Sequence, residues 1–288
     1  MIPRLDHREP VSETVQHYVR ELHALGFEGE IHCDDATRTV LSTDNSIYQV
    51  YPQVVVFPKD HEDLCRIVRA AHDHEVTLYP RGGGTGTNAQ SLGAGVVVDT
   101  SKHMNRILEI NVGERWARVQ CGAVKDHLNA EIRQHGLFFS LVLSTSNRAT
   151  IGGMINTDAS GQGSVRYGKT RDHVLNLKAV LLTGETLETS VLSDDELDQL
   201  SRSSPEYRLG HALRELHDTN QQAIDDSFPK LNRCLTGYDL KHVRTDDGKI
   251  DLNAVLCGSE GTLALISEAR INLESLPTEV TLLAVQYE

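Results

Sequence analysis

The stretch Pro80-Arg81-Gly82-Gly83-Gly84-Thr85-Gly86 lies between two apolar runs, 76–79 and 96–99, that are typical of β-strands. Its four glycines within five residues let backbone N–H groups turn toward one point and approach a ligand closely. Such a concave set of N–H groups is an anion nest, and a pyrophosphate is a suitable occupant. The same glycines are equally compatible with a simple tight connection, so the stretch alone leaves both interpretations open.

Two familiar phosphate-binding loops do not fit this stretch. A Walker-type loop needs a lysine directly after its last glycine, and none follows Gly86. A G-x-G-x-x-A pattern can be placed on 84–89, but that fingerprint must open a helix. Only six residues, 90–95, separate it from the next predicted strand, too few for a crossover helix. Any phosphate bound here is therefore held without a helix dipole behind it.

The segments before the stretch predict a βαβ unit. In chain order they are a helix over 12–26, an irregular polar segment over 31–51, a strand over 54–57, a helix capped by Asp60, and a strand over 76–79. Parallel pairing through a right-handed crossover is expected for the two strands. The glycine stretch then follows the carboxyl end of a parallel strand, where open α/β sheets bind ligands.

The second half of the chain predicts a larger, mainly antiparallel sheet flanked by helices. The expected elements are a strand at 117–121, a helix over 124–136, a hairpin of 177–181 with 186–189, an acidic solvated surface or helix start at 194–198, a helix after Pro205, a turn at 247–248, and strands at 263–266, 269–273 and 280–285. We therefore expect an α+β fold with two lobes. The expected division is a lead-in over 1–45, a first lobe over 46–112, a second lobe over 113–276, and the start of a further domain over 277–288.

Charge and cysteine content exclude several classes of partner. The chain has 41 acidic and 28 basic residues, a net charge of −13, which argues against nucleic acid or an anionic membrane as a partner. Its five scattered cysteines contain no C-x-x-C pair, so no zinc or iron–sulfur signature is present in this chain. Reduced thiols and the lack of a signal or membrane-spanning run favour a cytoplasmic protein that is not integral to a membrane.

Two further glycine clusters could hold the same ligand as the first. One is the segment 150–156 (Thr-Ile-Gly-Gly-Met-Ile-Asn), and the other is 257–263 (Cys-Gly-Ser-Glu-Gly-Thr-Leu). Taken singly, each is also compatible with a tightly packed helix start or a turn entering a strand. Three polar, glycine-rich loops that lie far apart in sequence favour a long ligand held along its length.

An ordered set of motifs resembles a known family. The motifs are 52–58 (Pro-Gln-Val-Val-Val-Phe-Pro), 80–86, 150–153, 166–172 (Arg-Tyr-Gly-Lys-Thr-Arg-Asp) and 258–263. Together they resemble the PCMH-type FAD-binding domain of the vanillyl-alcohol oxidase / p-cresol methylhydroxylase superfamily. The segment 236–241 (Thr-Gly-Tyr-Asp-Leu-Lys) resembles the D-2-hydroxyacid dehydrogenase branch. The segment 144–164 is similar to large bacterial flavin/iron–sulfur enzymes related to D-2-hydroxyglutarate dehydrogenase.

The resemblance implies a set of FAD-binding residues. The first loop would surround the pyrophosphate, the second would line the ribityl chain and isoalloxazine, and the third would contact the adenosine side or close the cleft. The residues implied are Arg81, Gly82, Gly83, Gly84, Thr85 and Gly86; Ser146, Thr150, Gly152, Gly153, Asn156 and Ala159; and Glu260, Gly261 and Ile266. Because the first loop has Thr85 and no histidine, non-covalent FAD is expected.

The resemblance also implies a reaction that needs more than these residues. A D-2-hydroxyacid would pass a hydride to FAD, and electrons would move through 4Fe-4S centres outside this chain to an acceptor. D-2-hydroxyglutarate is favoured as the substrate, with lactate or glycolate as alternatives. No catalytic residue or metal ligand is assigned within 1–288, where His173 is interpreted as structural, and the fragment alone is expected to be inactive. An NADPH-dependent flavin reductase and a non-catalytic nucleotide-binding module are the competing interpretations.

Overall fold

A computed structural model of the chain describes residues 10–231 and 237–286. The strands are β1 (Glu30–His32), β2 (Val54–Phe57), β3 (Leu78–Arg81), β4 (Val96–Asp99), β5 (Ile107–Asn111), β6 (Trp116–Gln120), β7 (Leu137–Phe138), β8 (Val174–Leu181), β9 (Thr186–Glu188), β10 (Val191–Leu192), β11 (Ile250–Asp251), β12 (Ala264–Asn272) and β13 (Glu274–Ser275). The α-helices are α1 (Glu13–Ala24), α2 (Asp35–Val40), α3 (His61–Asp73), α4 (Lys125–Ile132), α5 (Ile151–Asn156), α6 (Ser164–Tyr167), α7 (Asp194–Gln199) and α8 (Pro205–Ser227).

The first sheet contains the predicted parallel strands, with one change in their order. Its strand order is β1-β2-β4-β3, so β4 lies between the two strands of the expected βαβ unit and pairs with both in parallel. β3 ends at Arg81, two residues beyond the predicted end. The glycine stretch therefore leaves the carboxyl end of a parallel strand, as predicted.

The lead-in to this sheet is more regular than the sequence indicated. The helix predicted over 12–26 is confirmed as α1, and the Ser12 side chain accepts a hydrogen bond from the backbone N–H of Val15. The prediction of an irregular segment over 31–51 was wrong in part. β1 pairs antiparallel with β2, and α2 begins at an Asp34 cap. A three-residue strand carries too little periodicity to be recognised, because its partner strand rather than its own sequence stabilises it.

The second sheet is antiparallel, with strand order β5-β6-β12-β8-β9. The β8–β9 hairpin and the α8 helix after Pro205 are confirmed. The two closing strands predicted at 263–266 and 269–273 are instead the single strand β12, which continues through a register shift between Ile266 and Glu268. A β-bulge of this kind absorbs an extra residue without ending the strand. β5 pairs with β6 in this sheet, whereas the expected division, which stays a prediction, assigns 107–111 to the first lobe.

The strand predicted at 280–285 is not formed. Residues 280–286 have no regular structure, and Val280, Leu282 and Leu283 expose at least four-fifths of their surface. An apolar alternating run can become a strand only where another strand accepts its hydrogen bonds. The predicted motif 236–241 is described from Gly237 onward, and Thr236 and Cys234 lie outside the described residues.

One apolar core connects the two sheets. Val56 of β2, Leu64 of α3 and Leu177 of β8 are fully buried members of the same cluster. Polar contacts add to this packing, because His61 of α3 forms hydrogen bonds with Ser267 of β12 and Thr186 of β9. Helix α3 is thereby attached to the second sheet.

Candidate cofactor cleft

A cavity of about 1150 Å³ is lined by residues from all three glycine-rich loops. The loops reach it from β3, from the start of α5 and from the segment before β12. A cavity of this size exceeds the range of about 300–1,000 Å³ that holds most small ligands. The three loops line one cavity, which agrees with the sequence prediction that they share one ligand site.

The first loop lies directly against the second. A Cβ atom on Gly83 would collide with the carbonyl oxygen of Arg148, and the Thr150 side chain lies over Gly82. The carbonyl of Gly84 accepts a hydrogen bond of 3.1 Å from the backbone N–H of Asn45, which holds the outer side of the loop. Close packing between loops is thus one reason for glycine here, in addition to approach by a ligand.

Arg81 supports the first loop from behind. Its side chain is 8% exposed, and Nη2 donates to the carbonyl oxygen of Thr43 at 2.8 Å. Nη1 lies 3.4 Å from Ser91 Oγ, and Nε lies 3.9 Å from the carboxylate of Asp99. The guanidinium therefore already has protein partners, and its main effect is to hold the loop in position.

The second loop brings an unpaired acceptor to the cavity. Thr150 caps α5 by accepting from the backbone N–H of Gly153, and Asn156 lies at the other end of this helix. Asn156 Nδ2 donates to the carbonyl oxygen of Gly152 at 2.9 Å, whereas Asn156 Oδ1 is buried without a partner. An unsatisfied buried acceptor costs about 1–3 kcal/mol, so a donor supplied by a ligand would recover that cost.

The third loop is attached to the end of α5. The backbone N–H of Gly258 donates to the carbonyl of Ile155, and that of Glu260 donates to the carbonyl of Asn156 at 2.8 Å. Gly261 has a φ of +77°, and a side chain there would collide with the ring of Pro80. Glu260 has a φ of +53°, an uncommon conformation for a residue other than glycine. The third loop thus closes onto the first.

The chain matches known proteins over this region. Residues 52–190 match a family described as "FAD binding domain". Residues 52–190 belong to this family of FAD binding domains. The whole chain is 53% identical to D-2-hydroxyglutarate dehydrogenase of Pseudomonas putida and 49% identical to that of Escherichia coli, and it spans 29% of the length of each. A solved alkyldihydroxyacetonephosphate synthase has the same fold, with a TM-score of 0.67 and 22% identity over 95% of this chain and 46% of its own.

The PCMH-type FAD-binding fold predicted from the motifs is confirmed, and FAD is the cofactor of this domain. Thirteen of the fifteen predicted residues line the cavity; Ser146 and Gly261 do not. Ser146 Oγ is used in a local turn, donating to the carbonyl of Leu143 and accepting from its N–H. Gly261 faces Pro80 instead of the cavity. The predicted contacts of all fifteen residues to FAD stay predictions.

The lining of the FAD cleft also includes charged side chains that sequence reasoning did not assign. We call Asp158, Arg171, Asp239 and His242 the charged wall; all four line the cavity. The ammonium of Lys169, which is 1% exposed, forms an ion pair with Asp158 from behind the wall. Arg171 forms an ion pair with Asp239, and His242 Nδ1 lies 2.9 Å from the same carboxylate. The motifs at 166–172 and 236–241 contained Arg171 and Asp239, and Asp158 and His242 lie outside them. Only the fold brings the two segments together.

Two cysteines also border the FAD cleft, and both are neutral thiols. Burial raises the pKa of Cys121 to about 12. Burial likewise raises the pKa of Cys257 well above its ordinary value. A thiolate is the nucleophilic form of cysteine, so neither group is prepared to attack a flavin ring.

His173, interpreted from the sequence as structural, is enclosed in the protein. It is 3% exposed, and its Nε2 lies 2.8 Å from the carbonyl oxygen of Tyr167 and 3.2 Å from Ser140 Oγ. Among residues 10–231 and 237–286, no group of three or more acidic, histidine or cysteine side chains could hold a metal ion. Over the same residues, no helix has the length and apolar character needed to cross a membrane.

Proposed function

We propose that the chain is the FAD-binding part of an oxidoreductase that oxidises a D-2-hydroxyacid, with D-2-hydroxyglutarate as the favoured substrate. The observation that carries this proposal is the three-loop cavity in a chain that matches D-2-hydroxyglutarate dehydrogenases along its whole length. Bound FAD would supply the two-electron acceptor for the hydride at C2 of the substrate. The electrons would then pass to iron–sulfur centres and an acceptor outside residues 1–288.

The residues of the cleft support a division of roles. The first loop would hold the pyrophosphate through its backbone N–H groups, in a position that Arg81 fixes from behind. Asn156 Oδ1 would accept a hydrogen bond from FAD, because it has no described protein partner. Ile266 would provide an apolar contact, since it is 5% exposed and lines the cavity. The protein thus orients the cofactor and excludes water, and the cofactor carries the redox chemistry.

Non-covalent binding is part of the proposal. The two cysteines that border the cavity are neutral, and His242 is already engaged by Asp239 and Arg171. Acid precipitation should therefore release the flavin into the supernatant. Flavin that remains with the pellet would contradict this point. A cytoplasmic location is also proposed, and Cys33, Cys65, Cys121 and Cys257, which are free thiols, are consistent with it.

The test has a binding step and a reaction step. Residues 1–288 should be purified with and without added FAD, and a flavin absorbance band that co-elutes with the protein is expected. The longer protein that contains these residues should then be mixed anaerobically with D-2-hydroxyglutarate, D-lactate, glycolate or NADPH. Bleaching by D-2-hydroxyglutarate supports the proposal, whereas bleaching by NADPH alone would support a flavin reductase. A protein that gains no flavin band would instead be a non-catalytic module.

Residues 1–288 alone should retain FAD but should not be bleached by the hydroxyacid. The reason is that the proposal places the base that accepts the hydroxyl proton outside residues 1–288. Bleaching of the isolated segment at the rate of the longer protein would show that the reacting groups lie within these residues.

A further inference from the structure

A second cavity of about 420 Å³ opens beside the FAD cleft. We call it the annex and define it by its charged lining: Arg171, Asp172, Lys230, Lys241 and His242. Arg171, Lys241 and His242 also line the cleft, so the two spaces share a wall and are adjacent. A ligand that lies in the cleft can therefore extend into the annex.

Arg171 is already neutralised by carboxylates. It forms an ion pair with Asp239, and its Nε lies 3.4 Å from Asp172 Oδ1. Burial acts to raise the pKa of Asp239, but the hydrogen bond with His242 and the charge of Arg171 outweigh it, so that this pKa is lowered. Asp239 is consequently ionised at neutral pH and balances the guanidinium.

The two lysines of the annex have no such balance. Neither Lys230 nor Lys241 forms an ion pair with any residue in the part of the chain that the structure describes. Lys241 is half-buried, and Lys230 lies at the outer rim. The chain as a whole is acidic, with a net charge of −13, so two uncompensated ammonium groups beside one cavity differ locally from its overall charge. Lysine holds carboxylate and phosphate groups as a compact point charge, so an anion fits this place.

We propose that Lys230 and Lys241 bind the second carboxylate of a dicarboxylic substrate in the annex, while its 2-hydroxyacid end lies in the FAD cleft. This inference rests on the proposed function and deepens it. A monocarboxylic acid such as lactate has no second carboxylate for the annex, so the lysines would discriminate between substrates by charge. Inorganic phosphate is also an anion that lysines bind, so it is the alternative ligand in the test.

The experiment uses the protein that contains residues 1–288, loaded with FAD. The variants are Lys230→Ala, Lys241→Ala and the double variant, with Lys241→Arg as the conservative change. Lys59→Ala is the matched control, because Lys59 is an exposed lysine in the connection between β2 and α3. Three quantities are measured: the Kd of FAD, the KM and kcat for D-2-hydroxyglutarate and D-lactate, and calorimetric binding of glutarate. Glutarate has both carboxylates but no 2-hydroxyl group, so its binding does not depend on turnover.

In the double variant we expect the KM for D-2-hydroxyglutarate and the Kd of glutarate to rise about 10- to 100-fold, as for loss of charge-assisted hydrogen bonds. The kcat, the KM for D-lactate and the Kd of FAD should stay within about twofold of the wild type. Lys241→Arg should recover most of the loss, because it retains the charge. Lys59→Ala should resemble the wild type.

Three results would overturn the inference. An equal change, or none, in the KM for both hydroxyacids would remove the annex from dicarboxylate recognition. A weakened Kd of FAD would assign the lysines to the cofactor. Inorganic phosphate that binds more tightly than glutarate, and in a lysine-dependent way, would make the annex a phosphate site. If no hydroxyacid bleaches the flavin while glutarate binding still depends on the lysines, the proposed function fails and the anion site remains.

Discussion

Two parts of the FAD cleft are built on different principles. The glycine wall, formed by the cavity-lining residues within 81–86, 150–156 and 258–262, meets the cavity mainly with backbone and small side chains. The charged wall meets it with ionic side chains, of which Asp158 and Asp239 are less than one-tenth exposed. The glycine wall depends on the absence of side chains, whereas the charged wall depends on pairs of them. A substitution should therefore fail sterically on one side and electrostatically on the other.

The largest effect is expected on the charged wall. Asp158→Asn keeps a residue that tolerates the φ of +42° at this position, but it removes the negative charge opposite buried Lys169. Loss of one partner of a buried ion pair costs about 3–5 kcal/mol, so the free energy of unfolding should fall by that amount. Chemical denaturation measures it. The double variant Asp158→Asn/Lys169→Met should recover part of the loss; no recovery would show that the ion pair is not the cause.

The second effect tests the glycine wall. Gly83→Val should lower the free energy of unfolding by about 1–3 kcal/mol, because the side chain collides with the carbonyl of Arg148. It should also abolish FAD retention, measured by the flavin absorbance of the purified protein. Gly113→Val is the matched control, since a Cβ there meets only Asn111 at an ordinary distance of 3.6 Å. Normal FAD retention by Gly83→Val would separate this loop from the cofactor.

A third, smaller effect separates cofactor binding from folding. Asn156→Ala removes the unpaired acceptor, so the Kd of FAD should rise about tenfold. The Tm of the FAD-free protein should change little. Asn220→Ala is the control, because Asn220 Nδ2 also donates to the carbonyl four residues earlier, at 2.8 Å, on the exposed surface of α8. An unchanged Kd for Asn156→Ala would mean that its carbonyl oxygen does not contact FAD.

The smallest effect is a difference in pH dependence between the walls. The folded-state pKa of Asp239 is lowered, so its contribution to stability is present above the unfolded-state value of 3.8 and is lost as pH falls through the folded-state value. The difference in unfolding free energy between wild type and Asp239→Asn should therefore shrink as the pH falls below about 4. Urea denaturation at several pH values measures it. Gly83→Val removes no titrating group, so the difference in unfolding free energy between wild type and this variant should not change with pH. A parallel decline for Gly83→Val would indicate that low pH affects the whole protein and not Asp239 in particular.

Sequence reasoning was most successful where one short segment carries its own signal. The stretch 80–86, the caps at Ser12 and Asp60, and the β8–β9 hairpin could be predicted because the residues that determine each lie within a few positions. It was less successful for β1, which needs β2 as a partner. The residue type of Ser146 also did not decide whether it lines the cavity, because its hydroxyl is used in a local turn.

The sequence by itself determined the three glycine loops, their polar character and the βαβ unit that precedes the first of them. Glycine spacing and strand periodicity are local properties, so they can be recognised without knowing which distant residues are in contact. Only the tertiary structure decided that 158–172 and 237–242 meet to form the charged wall, and that Lys230 and Lys241 border a common annex. Charge pairing acts over a few ångströms in space, and residues that are 68 positions apart, such as Arg171 and Asp239, become neighbours only after the chain has folded.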